Sequence, residues 1–277
     1  MKFQILADSS CDLTADYIKN EQISLGIIPL TIYVGEHEYI DDENIDPKKM
    51  LEDMHESKEK TRSACPSPDA WLSKFDNADY TFIVTMTSNL SGTYNSAVVA
   101  RDMYDKKENV HVFNSFATGG SMCLIIDKIV EMIEKGAEFE QIVTEVTEFI
   151  GTRNLFFILH KFDNLIASGR MSKLTGLVAK TLIIRPVCTA SPEGTIDVVC
   201  KSIGSLGAYK KMVELSGARC NDFENRKLII SHCDNEEDAE QIKKLMLEKY
   251  PFKEVIIRPM RGLCSFYSLE KGIIMCF

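Results

Sequence analysis

Short apolar runs alternate with amphipathic segments through the first half of the chain. "FQILAD" and "DYTFIVTM" have the length and composition of buried strands. "GGSMCLIIDKIVEMIEKG" has helical spacing instead, because Met122, Ile125, Ile126 and Ile129 share one face and Gly136 follows the last turn. "YNSAVVARDMYD" and "FEQIVTEVTEFIGTR" are predicted helices, and "NVHVFNS" is a predicted strand. This alternation indicates a mostly parallel sheet covered on both faces.

Helix starts in this half are predicted from capping residues. Asp46 is the expected N-cap of a helix in "DPKKMLEDMHESKEK", with Pro47 as its first residue. A further helix is predicted in "SSCDLTADYIKN", with Asp12 or Thr14 as its cap. "ISLGIIPLTIYV" is a predicted strand, in which Pro29 indicates an edge position or a bulge.

The second half has a different pattern. "LFFIL" is a predicted strand, followed by short helices in "HKFDNLIASG" and "SKLTGLVAKTL". "LIIRPVCTA" and "GTIDVVCK" flank the turn "SPEG", which is typical of an antiparallel hairpin. "KLIISH", "NEEDAEQIKKLMLEKY", "KEVIIRP" and "GIIMCF" add a strand, a helix and two strands. We therefore expect an α/β protein with a parallel-sheet domain at residues 1–150 and a smaller mixed-sheet domain at residues 151–277.

Charge and composition exclude several classes of function. The formal net charge is −9, whereas nucleic acids and anionic membranes are bound through basic surfaces. No apolar run approaches the ~20 residues of a membrane helix, and Asp8 interrupts the amino terminus before a signal-peptide core forms. We expect a cytoplasmic protein without stable membrane insertion. The 9 cysteines form no CxxC pair and have no histidine at metal-ligand spacing, so neither a disulfide framework nor a metal site is predicted. We expect no cofactor either.

The segment "TSNLSGTYNSA", residues 87–97, follows a predicted strand where a helix should begin. Serine is a favoured N-cap residue, so helix capping is one interpretation of its many hydroxyl groups. The other interpretation is that an anion binds there, since the free N–H groups and the dipole of a first helical turn attract negative charge. Gly92 would let such a ligand approach the backbone closely. The residues alone leave both interpretations open.

Three further segments place small and hydroxyl residues near a predicted strand end: 8–12, 62–68 and 114–121. In an open parallel sheet, the loops at the carboxyl ends of strands converge on one crevice where ligands bind. The four segments therefore predict a crevice with a polar rim, although ordinary turn residues cluster in the same way. Arg170 in "LIASGRMS" is either a cation facing this crevice or a loop arginine that satisfies helix carbonyl groups.

Catalytic motifs are missing from the sequence. "LSGTY" is not the GxSxG elbow of a hydrolase, and neither GxGxxG nor GxxxxGK[ST] occurs. The histidines lie in no recognisable catalytic context, and Asp41 and Asp42 lie in an acidic turn that we expect to be solvated. We predict no catalytic residue. The alternative is an enzyme, a phosphotransferase or hydrolase, that acts on a small anionic metabolite in the same crevice.

Five segments, taken in order, resemble the DegV family of bacterial fatty-acid-binding proteins: "ADSSCDL", "SACPSP", "SNLSGTYNSA", "NSFATGG" and "SGRMS". The resemblance covers nearly the whole chain, and "LSGTYNSA" followed by "SGRMS" is its most specific part. It implies two α/β domains that enclose one long-chain fatty acid. It also implies a non-catalytic carrier that presents the fatty acid to a separate fatty-acid kinase for phospholipid synthesis.

By this resemblance, the hydroxyl groups of Ser63 in "SACPS" and Ser91 in "LSGTY" hold the fatty-acid carboxylate. The acyl chain is expected to lie in an apolar tunnel that the carboxy-terminal domain covers. The remaining ligand-binding candidates are Gly92, Thr93, Ser115, Arg170, Phe266 and Tyr267.

Two positions depart from the family pattern. The step G-x-H-x-G-P-G, whose histidine helps to hold the head group, reads "GLCSFYSLEKG" here, so Phe266 or Tyr267 replaces that histidine. Ser202 in "KSIGS" stands where the family has an arginine. A tyrosine hydroxyl still donates a hydrogen bond, so we expect lipid binding to be kept. Docking to the kinase would be weakened if it depends on that arginine.

Overall fold

The computed structural model describes residues 1–75, 78–171 and 184–277, which form an α/β fold with three β-sheets. The strands are β1 (Phe3–Asp8), β2 (Ile23–Ile28), β3 (Thr31–Val34), β4 (His37–Ile40), β5 (Thr61–Ala64), β6 (Tyr80–Thr85), β7 (Val110–Asn114), β8 (Leu155–Ile158), β9 (Ile184–Ala190), β10 (Ile196–Ile203), β11 (Lys227–His232), β12 (Glu254–Pro259) and β13 (Ile273–Cys276). The helices are α1 (Pro47–Glu56), α2 (Pro68–Leu72), α3 (Thr93–Met103), α4 (Gly120–Glu134), α5 (Phe139–Thr152), α6 (Asp163–Ala167), α7 (Gly204–Arg219), α8 (Glu236–Leu247) and α9 (Gly262–Ser268). The helix predicted in "SKLTGLVAKTL" lies outside the described residues.

Strands β2, β1, β6 and β7 form a parallel sheet in that order, which confirms the prediction from their alternation with helices. The sheet is covered on both faces, because consecutive residues of β1 enter different cores. Ile5 and Ala7 pack into the core shared with helices α4 and α5, whereas Leu6 packs with Trp71 of α2 and Ala97 of α3. All five side chains are fully buried.

Helix α1 begins where the capping signal predicts. The carboxylate of Asp46 accepts hydrogen bonds from the backbone N–H groups of Lys48 and Lys49, each at 3.0 Å. Pro47 is the first helical residue. It loses nothing there by lacking an N–H group, because the first helical position has no intrahelical acceptor.

The prediction of a helix in "SSCDLTADYIKN" is wrong. Two isolated 3-10 turns, Ser9–Cys11 and Ala15–Tyr17, occupy this segment. The carboxylate of Asp8 accepts a hydrogen bond from the backbone N–H of Ser10 and so starts the first turn. Asp12 then adopts a left-handed conformation with φ 58°, which ends it.

Strands β4, β3 and β5 form a small antiparallel sheet. Pro29 lies between β2 and β3, so the single strand predicted there is divided between two sheets. Strand β5 places Ser63 opposite Ile32 of β3. Ser63 therefore lies within an antiparallel strand, and the prediction that its segment follows a strand of the parallel sheet is wrong.

The second half of the chain forms a mixed sheet with the strand order β10-β9-β8-β13-β11-β12. Strands β9 and β10 are the hairpin predicted around "SPEG". Along β8, Phe156 and Ile158 pack against helices α7 and α8, whereas Leu155 and Phe157 point into the core shared with the first half. The mixed sheet is therefore covered by its own helices on one face and by the first half of the chain on the other.

The parallel and three-stranded sheets use residues before 115, and the mixed sheet uses residues from 155 onward. Because helix α5 runs across residue 150, a domain boundary at that residue stays a prediction. Every helix in the three described ranges is too short or too polar to cross a lipid bilayer.

Candidate functional site

An apolar cavity lies between the parallel sheet and the mixed sheet. Leu155, Phe157 and Ile274 line it from the mixed sheet, and Met86 and Ala117 line it from loops at the carboxyl ends of β6 and β7. It contains about 740 Å³ of space between atoms, counting its open mouth, and its surface is almost entirely apolar. Such a surface favours a hydrocarbon ligand, because filling it removes apolar area from water on both partners.

Polar groups border this cavity at Tyr267 and Arg170. The hydroxyl oxygens of Tyr267 and Ser63 lie 2.8 Å apart and share a hydrogen bond. The guanidinium carbon of Arg170 lies 5.1 Å from the centroid of the Tyr267 ring, and Arg170 Nε donates to the carbonyl of Leu90 at 2.7 Å. Tyr267 and Arg170 thus connect Ser63 to the segment that contains Ser91.

Ser91 lies two residues before helix α3. Its hydroxyl oxygen is 2.8 Å from that of Thr93 and 3.4 Å from the Thr93 backbone nitrogen. The N-cap position belongs to Gly92, which has no side chain with which to cap the helix. A Cβ atom on Gly92 would lie 3.2 Å from the sulfur of Cys65, so the segments that contain Ser63 and Ser91 adjoin each other.

Among the described contacts, each of the two hydroxyl pairs leaves one hydrogen-bond donor available. Every hydroxyl group has one O–H, and the bond between Ser63 and Tyr267 uses one of their two. The same count applies to Ser91 and Thr93. Two available donors match the two oxygen atoms of a carboxylate, and the dipole of helix α3 and the charge of Arg170 favour a negative group beside them.

Two carboxylates from the first half of the chain hold helix α9, which carries Tyr267. The oxygens of Asp41 accept hydrogen bonds from the backbone N–H groups of Gly262 at 2.9 Å and Leu263 at 3.0 Å. Asp12 accepts a hydrogen bond from the backbone N–H of Arg261 at 2.8 Å. The expectation that Asp41 is solvated is wrong, because its side chain has 0% exposure and serves as an internal helix cap.

Burial changes the acidity of these carboxyl groups, because the charged form loses contact with water. It raises the pKa of Asp12 from 3.8 to about 7 and the pKa of Asp8 to about 6, and the pKa of Asp41 is also raised. One oxygen of Asp12 has no hydrogen-bond partner in the described part of the chain. Burial therefore favours the protonated form of Asp12 far more than in an exposed carboxyl group.

Of the eight predicted candidates, only Arg170 and Tyr267 are among the described residues that line the cavity; Ser63, Ser91, Gly92 and Thr93 lie beside its border, and Ser115 and Phe266 serve other contacts. The hydroxyl of Ser115 is fully buried, donates to the carbonyl of Ala117 at 3.0 Å and accepts from its N–H at 3.2 Å, so it closes a turn. The ring of Phe266 is buried in the core beside that of Tyr267, with 4.8 Å between ring centroids. Of the two aromatic candidates, Tyr267 is the one that meets Ser63.

Within the described ranges, no group of His, Cys, Asp or Glu has the arrangement of a metal site. Hydroxyl groups, one guanidinium and apolar side chains make up the surroundings of the cavity instead. The site is thus suited to bind an amphipathic anion.

These features define an α/β protein in which two sheets enclose an apolar cavity with hydroxyl groups at its border. A family model described as "Uncharacterised protein, DegV family" matches residues 2–275. A DegV domain-containing protein of Streptococcus gordonii is 36% identical over 283 residues, which cover 99% of this chain and 98% of the relative. The chain therefore belongs to the DegV family.

Solved structures of similar proteins contain fatty acids. The fatty acid kinase (Fak) B3 protein of Streptococcus pneumoniae, loaded with linoleic acid, has a TM-score of 0.93 and 35% identity, and the match covers 100% of this chain and 99% of that one. A DegV family protein of Eubacterium eligens loaded with heptadecanoic acid has a TM-score of 0.92 and 34% identity, with 99% and 98% covered. A DegV family protein of Ruminococcus gnavus with vaccenic acid has a TM-score of 0.93 and 28% identity, with 100% and 99% covered.

Proposed function

We propose that this protein is a non-catalytic binding protein for one long-chain fatty acid. The acyl chain occupies the apolar cavity, and the carboxylate accepts hydrogen bonds from Ser63 and Ser91. Tyr267 and Thr93 orient those two hydroxyl groups, Gly92 leaves room beside the first turn of α3, and Arg170 adds positive charge.

The observation that carries this proposal is the combination of an apolar cavity with two hydroxyl pairs from adjoining segments. The fatty acids in similar DegV proteins support the same ligand class. The acyl chain supplies most of the affinity, because each buried CH2 group contributes about 0.8 kcal/mol. The head-group hydrogen bonds fix the direction in which the chain enters.

We also propose that the protein presents its fatty acid to a fatty-acid kinase in the cytoplasm. The support for this step is the similarity to the B3 protein of a fatty acid kinase. Ser202, which is partly buried near the start of α7, stands where the family pattern has an arginine. We therefore expect a kinase that docks here to use contacts other than that arginine.

Replacing Ser91 by alanine tests the head-group site. Loss of a hydrogen bond to a charged group costs about 1.5–3 kcal/mol, so Ser91→Ala should weaken fatty-acid binding roughly 10- to 100-fold. Displacement of a fluorescent fatty acid by palmitic acid measures the affinity. Ser63→Ala should give a similar loss.

Ser24→Ala is the matched control, because Ser24 is exposed on strand β2. It should bind palmitic acid as the unchanged protein does. Unchanged affinity in both Ser63→Ala and Ser91→Ala would remove these serines from the site. A melting shift with ATP but none with palmitic acid would favour an enzyme instead.

A further inference from the structure

A second, polar cleft borders the apolar cavity. It contains about 1370 Å³ of space between atoms, counting its open mouth. Phe116, Ala117, Leu155 and Ala190 line both the cavity and the cleft. The cleft differs from the cavity in its chemistry, because two arginines and several hydroxyl residues also line it.

Arg153 is a partly buried cation with neutral partners. Its terminal nitrogens donate to the carbonyl oxygens of Ser115 at 2.7 Å and of Ser121 and Ile150 at 3.1 Å, and to the hydroxyl of Ser121. Its Nε is buried and has no hydrogen-bond partner among the described residues. Burial lowers the pKa of Arg153 to about 10, as expected for a cation without a negative partner.

Arg219, the last residue of helix α7, brings a second cation to the cleft. Its terminal nitrogen donates to the hydroxyl of Thr189 at 2.8 Å, and its guanidinium carbon lies 4.7 Å from the centroid of the Phe156 ring. Both contacts fix the direction of the side chain without neutralising its charge. Among the described contacts, neither Arg153 nor Arg219 forms an ion pair, whereas Arg101 and Arg226 each pair with an aspartate.

The charge of the cleft is opposite to that of the whole chain. Two arginines and one acid, Asp197, are the charged residues among its described lining, which gives a local charge of +1 against a net charge of −9. The planar guanidinium group matches the oxygen atoms of phosphate and carboxylate groups. Arg219 supplies such donors, whereas the terminal N–H groups of Arg153 already donate within the chain, so Arg153 contributes positive charge beside them. We propose that Arg153 and Arg219 form a second anion site, which binds the oxygen atoms of a phosphate or carboxylate group beside the apolar cavity.

The phosphate or carboxylate group that binds at this site could come from two sources. A free oxyanion would enter the cleft from solvent. Alternatively, the distal carboxylate of a long-chain dicarboxylic acid would reach the cleft past the shared wall, with its hydrocarbon chain in the apolar cavity. The second source depends on the proposed fatty-acid site, whereas the first does not.

Arg219→Gln is the informative variant, because Arg219 is exposed at a helix end, whereas Arg153 also holds helices α4 and α5 together. Calorimetric titration with inorganic phosphate tests whether the cleft binds a free oxyanion. We expect the phosphate Kd to rise about tenfold in Arg219→Gln and less in Arg219→Lys. Asp197→Asn should lower this Kd because it removes the opposing charge, and a purely structural role for Arg219 would not predict that change.

Displacement assays with hexadecanedioic acid and palmitic acid test whether the distal carboxylate of a dicarboxylic acid reaches the cleft. If the distal carboxylate reaches the cleft, Arg219→Gln weakens hexadecanedioic acid about tenfold and leaves palmitic acid unchanged. Arg101→Gln controls for the loss of one positive charge elsewhere. The second anion site is overturned if Arg219→Gln changes neither phosphate nor hexadecanedioic acid binding, or if Arg101→Gln has the same effect. If the unchanged protein binds phosphate but not palmitic acid, the fatty-acid site is contradicted and the second anion site is not.

Discussion

Replacing Asp12 by asparagine should make the stability of this protein less dependent on pH. Asp12 accepts the backbone N–H of Arg261 at the start of helix α9, and its other oxygen is buried without a described partner. Its pKa is 3.8 in an unfolded chain and about 7 in the folded protein. Asparagine has nearly the same shape and keeps an oxygen for Arg261, but it never carries a negative charge.

The direction of the effect follows from proton binding. Between pH 3.8 and about 7 the folded protein binds more protons at Asp12 than the unfolded chain does. The resulting stabilisation is complete below this range and is lost as the pH rises through about 7. Since a tenfold change in acidity corresponds to about 1.4 kcal/mol, the rise in pKa corresponds to about 4 kcal/mol.

Urea unfolding at about pH 5 and about pH 8 measures this difference. We expect the free energy of unfolding of the unchanged protein to fall over this interval, and that of Asp12→Asn to fall less by about 2–4 kcal/mol. Glu43→Gln, which removes an exposed acid from the neighbouring loop, should follow the unchanged protein. If Asp12→Asn has the same pH dependence as the unchanged protein, burial of a titrating Asp12 is contradicted.

Two further substitutions separate the head-group site from the wall of the cavity. Tyr267→Phe should weaken palmitic acid binding about tenfold in a displacement assay, because Ser63 loses the hydroxyl group that orients it. Unchanged affinity would show that the contact between Ser63 and Tyr267 does not serve the ligand. Gly194→Ala should lower the free energy of unfolding, measured in urea, by about 2 kcal/mol or more. Gly194 has φ 79°, and a Cβ atom there would lie 2.2 Å from Thr87 Oγ1 and 2.9 Å from Phe116 Cα. A variant as stable as the unchanged protein would contradict this close contact.

The regular elements were predictable because their signals are local. Helix α1 has its cap and proline in sequence, and helix α4 has a complete apolar face. Strands β4 and β5 have no such signal, since "HEYI" and "TRSA" are mostly polar and are ordered by pairing with β3. Helix α7 was missed although Ala208, Tyr209, Met212, Val213 and Ser216 give it a buried face.

The site depends on contacts that local patterns do not contain. Ser63 and Tyr267 are 204 residues apart, and Asp41 and Gly262 are 221 residues apart. The motif resemblance pointed to Ser63 and Ser91, but it left Phe266 and Tyr267 as alternatives and gave no role to Asp12 or Asp41. An acidic turn resembles a solvated loop until a helix terminus covers it, so burial of Asp41 was not predictable from its neighbours. The cytoplasmic location and the domain boundary stay predictions.

Native mass spectrometry of the protein, with palmitic acid added, tests the central claim most directly. We expect one adduct with the mass of a single fatty acid on the unchanged protein, and its near-complete loss when Ser63 and Ser91 are both replaced by alanine. Absence of any fatty-acid adduct on the folded protein, or an adduct of equal abundance in the double variant, would contradict a fatty-acid site held by these two hydroxyl groups.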